Sequence, residues 1–225
     1  MIIAKRKPFE EIKAAVREFR RVLVVGCGTC VAVCLAGGEK EAGILAAQLD
    51  MAAQLEGREQ VFETACLERQ CDMEFLDELA ERVEGCDALL SLACGAGIQF
   101  LAQRYAQVPV LAGVDTTMIG VNSAVGVWEA KCRACRQCYL GLTGGICPVT
   151  LCPKGMLNGP CGGTREGKCE TDPERDCVWT LIWQRLEATG RLDNLVAIQP
   201  PRDHARMLSL RQTHPAYERR YSVHD

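Results

Sequence analysis

Between Cys132 and Cys177 the chain places eight cysteines (Cys132, Cys135, Cys138, Cys147, Cys152, Cys161, Cys169 and Cys177) in a stretch rich in glycine and proline. Helix and strand signals are few there, and there are too few large apolar side chains for a core of its own. Order in such a stretch has to come from ligand bonds. The chain has 15 cysteines in 225 residues, whereas disulfide frameworks belong to short secreted chains, usually with an even count. In a reducing cytoplasm the same density argues for metal. The three histidines, His204, His214 and His224, all lie in the last 22 residues. The cysteine-rich regions are therefore expected to supply all-sulfur sites, and a histidine general base in the folded body is not expected.

The run C-x2-C-x2-C at Cys132, Cys135 and Cys138 is the most specific motif. Bacterial ferredoxins place three ligands of a [4Fe-4S] cubane this way and take the fourth from elsewhere, often from a cysteine followed by proline. Cys147-Pro148 and Cys152-Pro153 both have that feature, but the gap from Cys138 to Cys147 is eight residues rather than the ferredoxin three. Cys147, Cys152 and a distant thiol such as Cys177 all stay open as the fourth ligand. Structural zinc is the alternative. Its usual signature is paired C-x2-C knuckles, and the spacings after Cys147 are looser than that, so the later set fits zinc and iron about equally.

The first half reads differently. Short apolar runs alternate with helical periodicity, the pattern of a parallel βα sheet covered on both faces, as in Rossmann-like or flavodoxin-like folds. Strands are predicted at Val22–Val25, Val61–Ala65, Ala88–Leu92 and Val108–Ala112. Helices are predicted over Phe9–Arg20, Gly38–Leu55, Asp72–Val83 and Ala96–Ala106. The pattern stops after Val114, and one more helix, Val178–Thr189, precedes a polar tail. The expected architecture is an α/β domain over residues 1–125, followed by a cysteine-rich, irregular metal-cluster domain with a C-terminal helix over 126–225.

The first strand runs into GCGTCVAVCLAGG, where Gly26 and Gly28 give only part of a dinucleotide fingerprint. The better reading is C-x2-C-x3-C. A helix beginning near Thr29 would put Cys30 and Cys34 on one face. Cys71 and Cys94 also follow strand ends, and carboxyl ends of parallel strands form the crevice where ligands bind. Cys27, Cys30, Cys34, Cys71 and Cys94 can therefore meet, one more than the four a cubane or closed zinc site needs. Cys66 and Cys86 read as packing residues, since a cysteine by default is a small buried hydrophobe.

A net charge of −3 removes the electrostatic case for nucleic acid. No apolar run approaches the roughly 20 residues of a bilayer span, and the opening MIIAKRKPFEEIKAAVREFR reads as a charged helix-like segment rather than a secretory signal, so a cytoplasmic protein is expected.

With these residues in view the chain resembles the MetV-type iron-sulfur subunit of methylenetetrahydrofolate reductase. The resemblance runs through VLVVGCGTCVAVCLAGGEKE, ERQCDMEFL, LSLACGAG, CRACRQCYLGLTGGICPVTLCPKGMLNGPCGGTREGKCE and CVWTLIWQRL. It implies a subunit that is not catalytic by itself and carries two or three [4Fe-4S] clusters, or a zinc in place of one. It also implies a MetF-type flavoprotein partner that holds FMN or FAD and makes methyltetrahydrofolate in the Wood-Ljungdahl pathway. The donor would be a ferredoxin or an NADH-linked oxidoreductase. The tail from Asp193, with its proline pair and mixed charge, fits a docking strap for the partner or a disordered end, the strap being the preferred expectation.

Overall fold

The structure, a computed structural model, describes residues 1–205 and 211–221. The chain divides into two compact units, residues 1–130 and 131–225.

The first unit is built on β2 (Arg21–Cys27), whose burial is continuous from Val22 to Cys27. A strand apolar on successive residues has to be covered on both faces. Before it lie β1 (Ile2–Arg6) and α1 (Phe9–Ala15), and after it α2 (Cys30–Val33), α3 (Glu39–Leu55) and β3 (Val61–Leu67). The chain continues through α4 (Met73–Leu76), α5 (Ala80–Val83), β4 (Ala88–Ser91), α6 (Gly95–Arg104) and β5 (Val110–Ala112). Strands β2 to β5 form a four-stranded parallel sheet in the order β3-β2-β4-β5. This is the beginning of a flavodoxin-like winding, which reverses direction between β2 and β4.

Alternate residues of β2 feed opposite cores. Val22 and Val24 join Ile12, Leu45, Leu49 and Leu90, while Leu23 and Val25 join Leu76, Leu79, Leu89 and Leu101. Helix α3 presents Ala42, Leu45, Ala46, Leu49 and Ala53, the three-four spacing that keeps one face inward. At the opposite end of the sheet the Asp87 carboxylate accepts from the amides of Arg20 and Arg21 at 3.0 and 2.8 Å.

Three stretches depart from expectation. The opening residues are not helical throughout: Ile2–Arg6 is a strand, and helix forms only from Phe9 to Ala15. Pro8 separates them, and Ile2 and Ile3 find antiparallel partners in Ile119 and Met118, a ladder that local periodicity does not announce. Nor does regular structure stop at Val114. Strands β6 (Val114–Ala124) and β7 (Val127–Cys132) complete a second sheet in the order β1-β6-β7. Their residues are largely exposed, so the apolar signal is weak. Gly120 is needed there because a Cβ would run into the Glu129 carbonyl. The expected Asp72–Val83 helix is divided into α4, a 3-10 turn at Asp77–Leu79 and α5.

The second unit has little regular structure. It contains α7 (Pro148–Leu151), the two-stranded β8 (Lys168–Cys169) and β9 (Asp172–Asp176), and α8 (Val178–Ala188). Its small core gathers Cys177, Val178, Trp179, Ile182 and Leu186 against Ile146, Leu151 and Met156. The Trp179 indole N–H donates to the Met156 carbonyl at 3.1 Å. Much of the rest hangs on single polar contacts, such as the Lys154–Glu170 and Lys168–Asp176 ion pairs. The start of the tail is also held by its own unit. Asn194 donates to the Leu142 carbonyl at 3.0 Å, and Asn158 and Gln199 exchange two hydrogen bonds at 2.7 and 2.9 Å. Residues 206–210 and 222–225 of the expected strap lie outside the described residues.

Candidate metal centre

In the first unit the carboxyl ends of β2 and β4, with the loop after β3, carry Cys27, Cys94 and Cys71 respectively. Cys30 opens α2, directly after the β2 turn. The Gly28 amide donates to the Leu67 carbonyl and the Cys27 amide to the Gly37 carbonyl, both at 2.8 Å, so this turn is tied to the end of β3 and to the loop before α3. Burial pushes the Cys71 thiol up, and the nearby Cys94, Cys27 and Cys30 groups push it further. Cys71 is thus within electrostatic reach of the other three sulfurs at the crevice where the winding reverses.

Cys34 does not join them. Helix α2 ends at Val33, and Leu35 takes a left-handed φ of 56°. The Cys34 sulfur instead faces the core beside β1, accepting from the Ala4 amide at 3.4 Å and lying 3.6 Å from the Ala4 and Val31 carbonyls. The one-face expectation for Cys30 and Cys34 fails because the helix is a single turn. Cys66 is half-buried on β3, and a Cβ on Gly26 would come within 3.1 Å of its sulfur. Burial raises its pKa first, with Glu39 and Cys27 adding to it. Cys86 is half-buried against the α5–α6 side of the sheet, its thiol donating to the Arg82 carbonyl at 3.2 Å.

The crevice has a floor that the cysteine pattern did not reveal. Gln70 is fully buried. Its amide nitrogen donates to the carbonyls of Val25 and Gly26 at 2.9 Å each, and its oxygen accepts from the Ser91 hydroxyl at 2.6 Å. The Ser91 oxygen in turn accepts from the Ala93 amide at 3.2 Å.

In the second unit Cys132, Cys135 and Cys138 share one loop, in which Ala134 and Arg136 both have left-handed φ, 51° and 58°. Alternating handedness of this kind turns successive N–H groups inward to make an anion-binding nest. The Ala134 amide already donates to the Cys132 sulfur at 3.3 Å. The eight-residue gap that breaks the ferredoxin spacing is folded back on itself. Buried Thr143 puts its hydroxyl 3.0 Å from the Tyr139 carbonyl and 2.6 Å from that of Ile146. Those two residues adjoin Cys138 and Cys147, so the chain returns Cys147, at the N-terminus of α7, to the neighbourhood of the triplet.

The remaining four thiols line one cavity. Cys152, Cys161, Cys169 and Cys177 surround a space of about 20 Å³, together with Thr164, Thr171 and Arg175. Cys169 is held below the ordinary thiol range by the Thr171 hydroxyl and amide. At Cys177, burial works upward, but the Thr180 and Trp179 amides and the Thr180 and Thr164 hydroxyls outweigh it, and the net shift is downward. Cys177 is the N-cap of the 11-residue α8, a position that favours thiolate.

Four sulfurs around one zinc each lie near 2.3 Å from it and so about 3.8 Å from one another. Among the described residues no group of three or more His, Cys, Asp or Glu closes to hold a single ion. A cubane distributes its four thiolates over four irons and so asks for a wider set of sulfurs than one zinc does. Among the described residues no helix is long and apolar enough to cross a membrane.

A comparison with curated proteins found no match. Residues 111–205 match the family model described as methylene-tetrahydrofolate reductase C terminal. The match covers the three later cysteine positions of the cavity just described, Cys161, Cys169 and Cys177, as well as the triplet, Cys147 and Cys152. Over residues 111–205 the chain is thus similar to the methylene-tetrahydrofolate reductase C-terminal family.

Proposed function

We propose that this chain is an iron-sulfur electron-transfer subunit that serves the flavin of a MetF-type methylenetetrahydrofolate reductase in the cytoplasm. The observation that carries the reading is the sorting of the thiols. Of thirteen sequence candidates, Cys34 turns into the core, and we read the other twelve as three sets of four: Cys27, Cys30, Cys71 and Cys94; Cys132, Cys135, Cys138 and Cys147; and Cys152, Cys161, Cys169 and Cys177. Four thiolates is the complement of a [4Fe-4S] cluster, whose potential is set by charge, hydrogen bonds and exposure. Bound clusters would supply one-electron chemistry. The chain's own part is to hold thiolates, to point amides at sulfur as Ala134 does, and to keep the first site at a crevice. The family match over residues 111–205 supports a reductase as the partner, with a ferredoxin or an NADH-linked oxidoreductase as donor and the flavin, FMN or FAD, on the partner.

The third neighbourhood also supports a second reading. A cavity of about 20 Å³ is room for roughly one water-sized species. The four sulfurs do not stand at zinc spacing in the metal-free chain, so on this reading a single zinc draws Cys152, Cys161, Cys169 and Cys177 inward and holds the second unit in shape beside two cubanes.

Metal analysis with EPR on anaerobically purified protein, alone and with its flavoprotein, tests both. About eight to twelve irons per chain, with reduced-cluster signals that disappear when the partner's oxidised flavin is added, is the expected result. Eight irons and one zinc selects the mixed form. Zinc with little iron overturns electron transfer and leaves a structural subunit.

A further inference from the structure

The buried Gln70 touches the chain beside three of the four thiols in the first neighbourhood. Its amide holds the Gly26 carbonyl, next to Cys27; its own backbone precedes Cys71; and through Ser91 it holds the Ala93 amide, next to Cys94. Three chain segments that are distant in sequence are thus joined one residue before each cysteine. Both amide hydrogens and the amide oxygen of Gln70 are used. A buried polar network satisfied in this way is worth most as a geometric constraint, because any shift leaves a donor or acceptor unpaired in a dry interior.

The packing around it is equally tight. A Cβ on Gly97, in the first turn of α6, would lie 3.0 Å from the Gln70 Cβ and closer still to Ala93. The helix that begins after Cys94 is therefore pressed directly onto the amide. An apolar side chain of the same length could fill the volume but could not fix the three strand ends relative to one another.

Resting on the reading of Cys27, Cys30, Cys71 and Cys94 as a metal site, we infer that Gln70 and Ser91 are positioning residues that set Cys27, Cys71 and Cys94 beside one another before any metal is bound. The first site is preformed in the metal-free protein, and iron is not what draws its strand ends together.

The test uses the full chain, reduced and metal-free, with dibromobimane, which becomes fully fluorescent only on bridging two neighbouring thiols; peptide mass spectrometry identifies the pair. In the unsubstituted protein Cys71 bridges to Cys27 or Cys94. Gln70→Met and Ser91→Ala slow that bridging by about tenfold or more, since it is an intramolecular reaction governed by proximity. Single alkylation of Cys71 by monobromobimane stays within about twofold, because exposure of the thiol is unchanged. Ser91→Thr, which keeps the hydroxyl, retains the fast rate. Gly97→Ala, which removes no polar group but displaces Gln70, slows it. If Gln70→Met does not fold, the Ser91→Ala and Ser91→Thr pair decides. Bridging that is slow in the unsubstituted protein, or equally fast in folded Ser91→Ala, overturns the inference. Fast bridging together with a protein that takes up no iron upholds the positioning role and rejects the metal assignment instead.

Discussion

The two units hold their thiols by opposite means. In the first, a parallel sheet with leucines on both faces brings distant cysteines together, and each rides on the end of an element that is stable for other reasons. In the second, the main apolar cluster among the described residues is a handful of side chains around Trp179, and most of the cysteines sit at short elements and turns outside it, Cys177 being the one buried within it. On the proposed reading one unit presents a site and the other is organised by its site. A chain of this length can use both strategies because only one part of it needs a core large enough to fold alone.

The sharpest break between the two would come from metal removal. Under reducing conditions a chelator is expected to raise amide exchange over residues 131–205 by about a hundredfold or more, because metal binding there is also folding free energy. Amides of β2, β3 and β4 should keep their protection. Loss of protection in both units together would show that the distinction is false.

The reverse experiment strikes the sheet. Leu90 is fully buried in β4, in register with Val24 and Leu111, and Leu90→Ala should destabilise the first unit by about 2–5 kcal/mol. Urea titration reads the loss, and the metal content of a proteolytic fragment from the second unit should not change. A smaller effect is expected from Thr143→Val, which leaves the Tyr139 and Ile146 carbonyls without the hydroxyl between them, at about 1–3 kcal/mol. Its signature is weaker metal retention by the Cys132–Cys147 group with the crevice group untouched. Equal loss at both groups would contradict it.

The mildest test is the pH at which thiols react in the metal-free protein. Cys71 is raised and Cys169 and Cys177 are lowered. As pH falls from the alkaline side, iodoacetamide labelling of Cys71 should fail first and that of Cys169 and Cys177 last, since thiolate is the reactive form. Stability follows the same signs. The contribution of Cys71 is present below the ordinary thiol pKa and lost as pH rises through its raised value. The contribution of Cys177 is present above the ordinary thiol pKa and lost as pH falls through its depressed value. Coincident labelling midpoints would remove this part of the contrast.

What could be read in advance follows the same division. The four parallel strands are legible because burial on both faces leaves uninterrupted apolar runs, as in RVLVVG. Strands β1 and β6 are not, because each is half exposed and the ladder between them joins residues more than a hundred positions apart. The strand-end rule anticipates that Cys27, Cys71 and Cys94 follow the carboxyl edge of the sheet, as they do. The helix face expected to carry Cys30 and Cys34 together is cut short, because α2 ends before the second of them. Gln70 and Thr143 carry no periodic or spacing signal at all. A glutamine before a cysteine becomes meaningful only when three strand ends are seen to converge on it, and a threonine between two cysteines only when the gap folds back.

The ladder between β1 and β6 orders events in time as well as in space. Ile2 waits for Ile119 and Arg6 for Val114, so a chain emerging from the ribosome cannot close its second sheet until nearly 120 residues have been made. Domains generally fold as units during synthesis, the N-terminal one first. The strand that pairs with β1 is therefore complete at Ala124, and the last strand of that sheet ends on Cys132 itself. The self-supporting half closes as the first thiol of the dependent half is made, before the other seven are exposed to solvent, oxygen or the machinery that would load them.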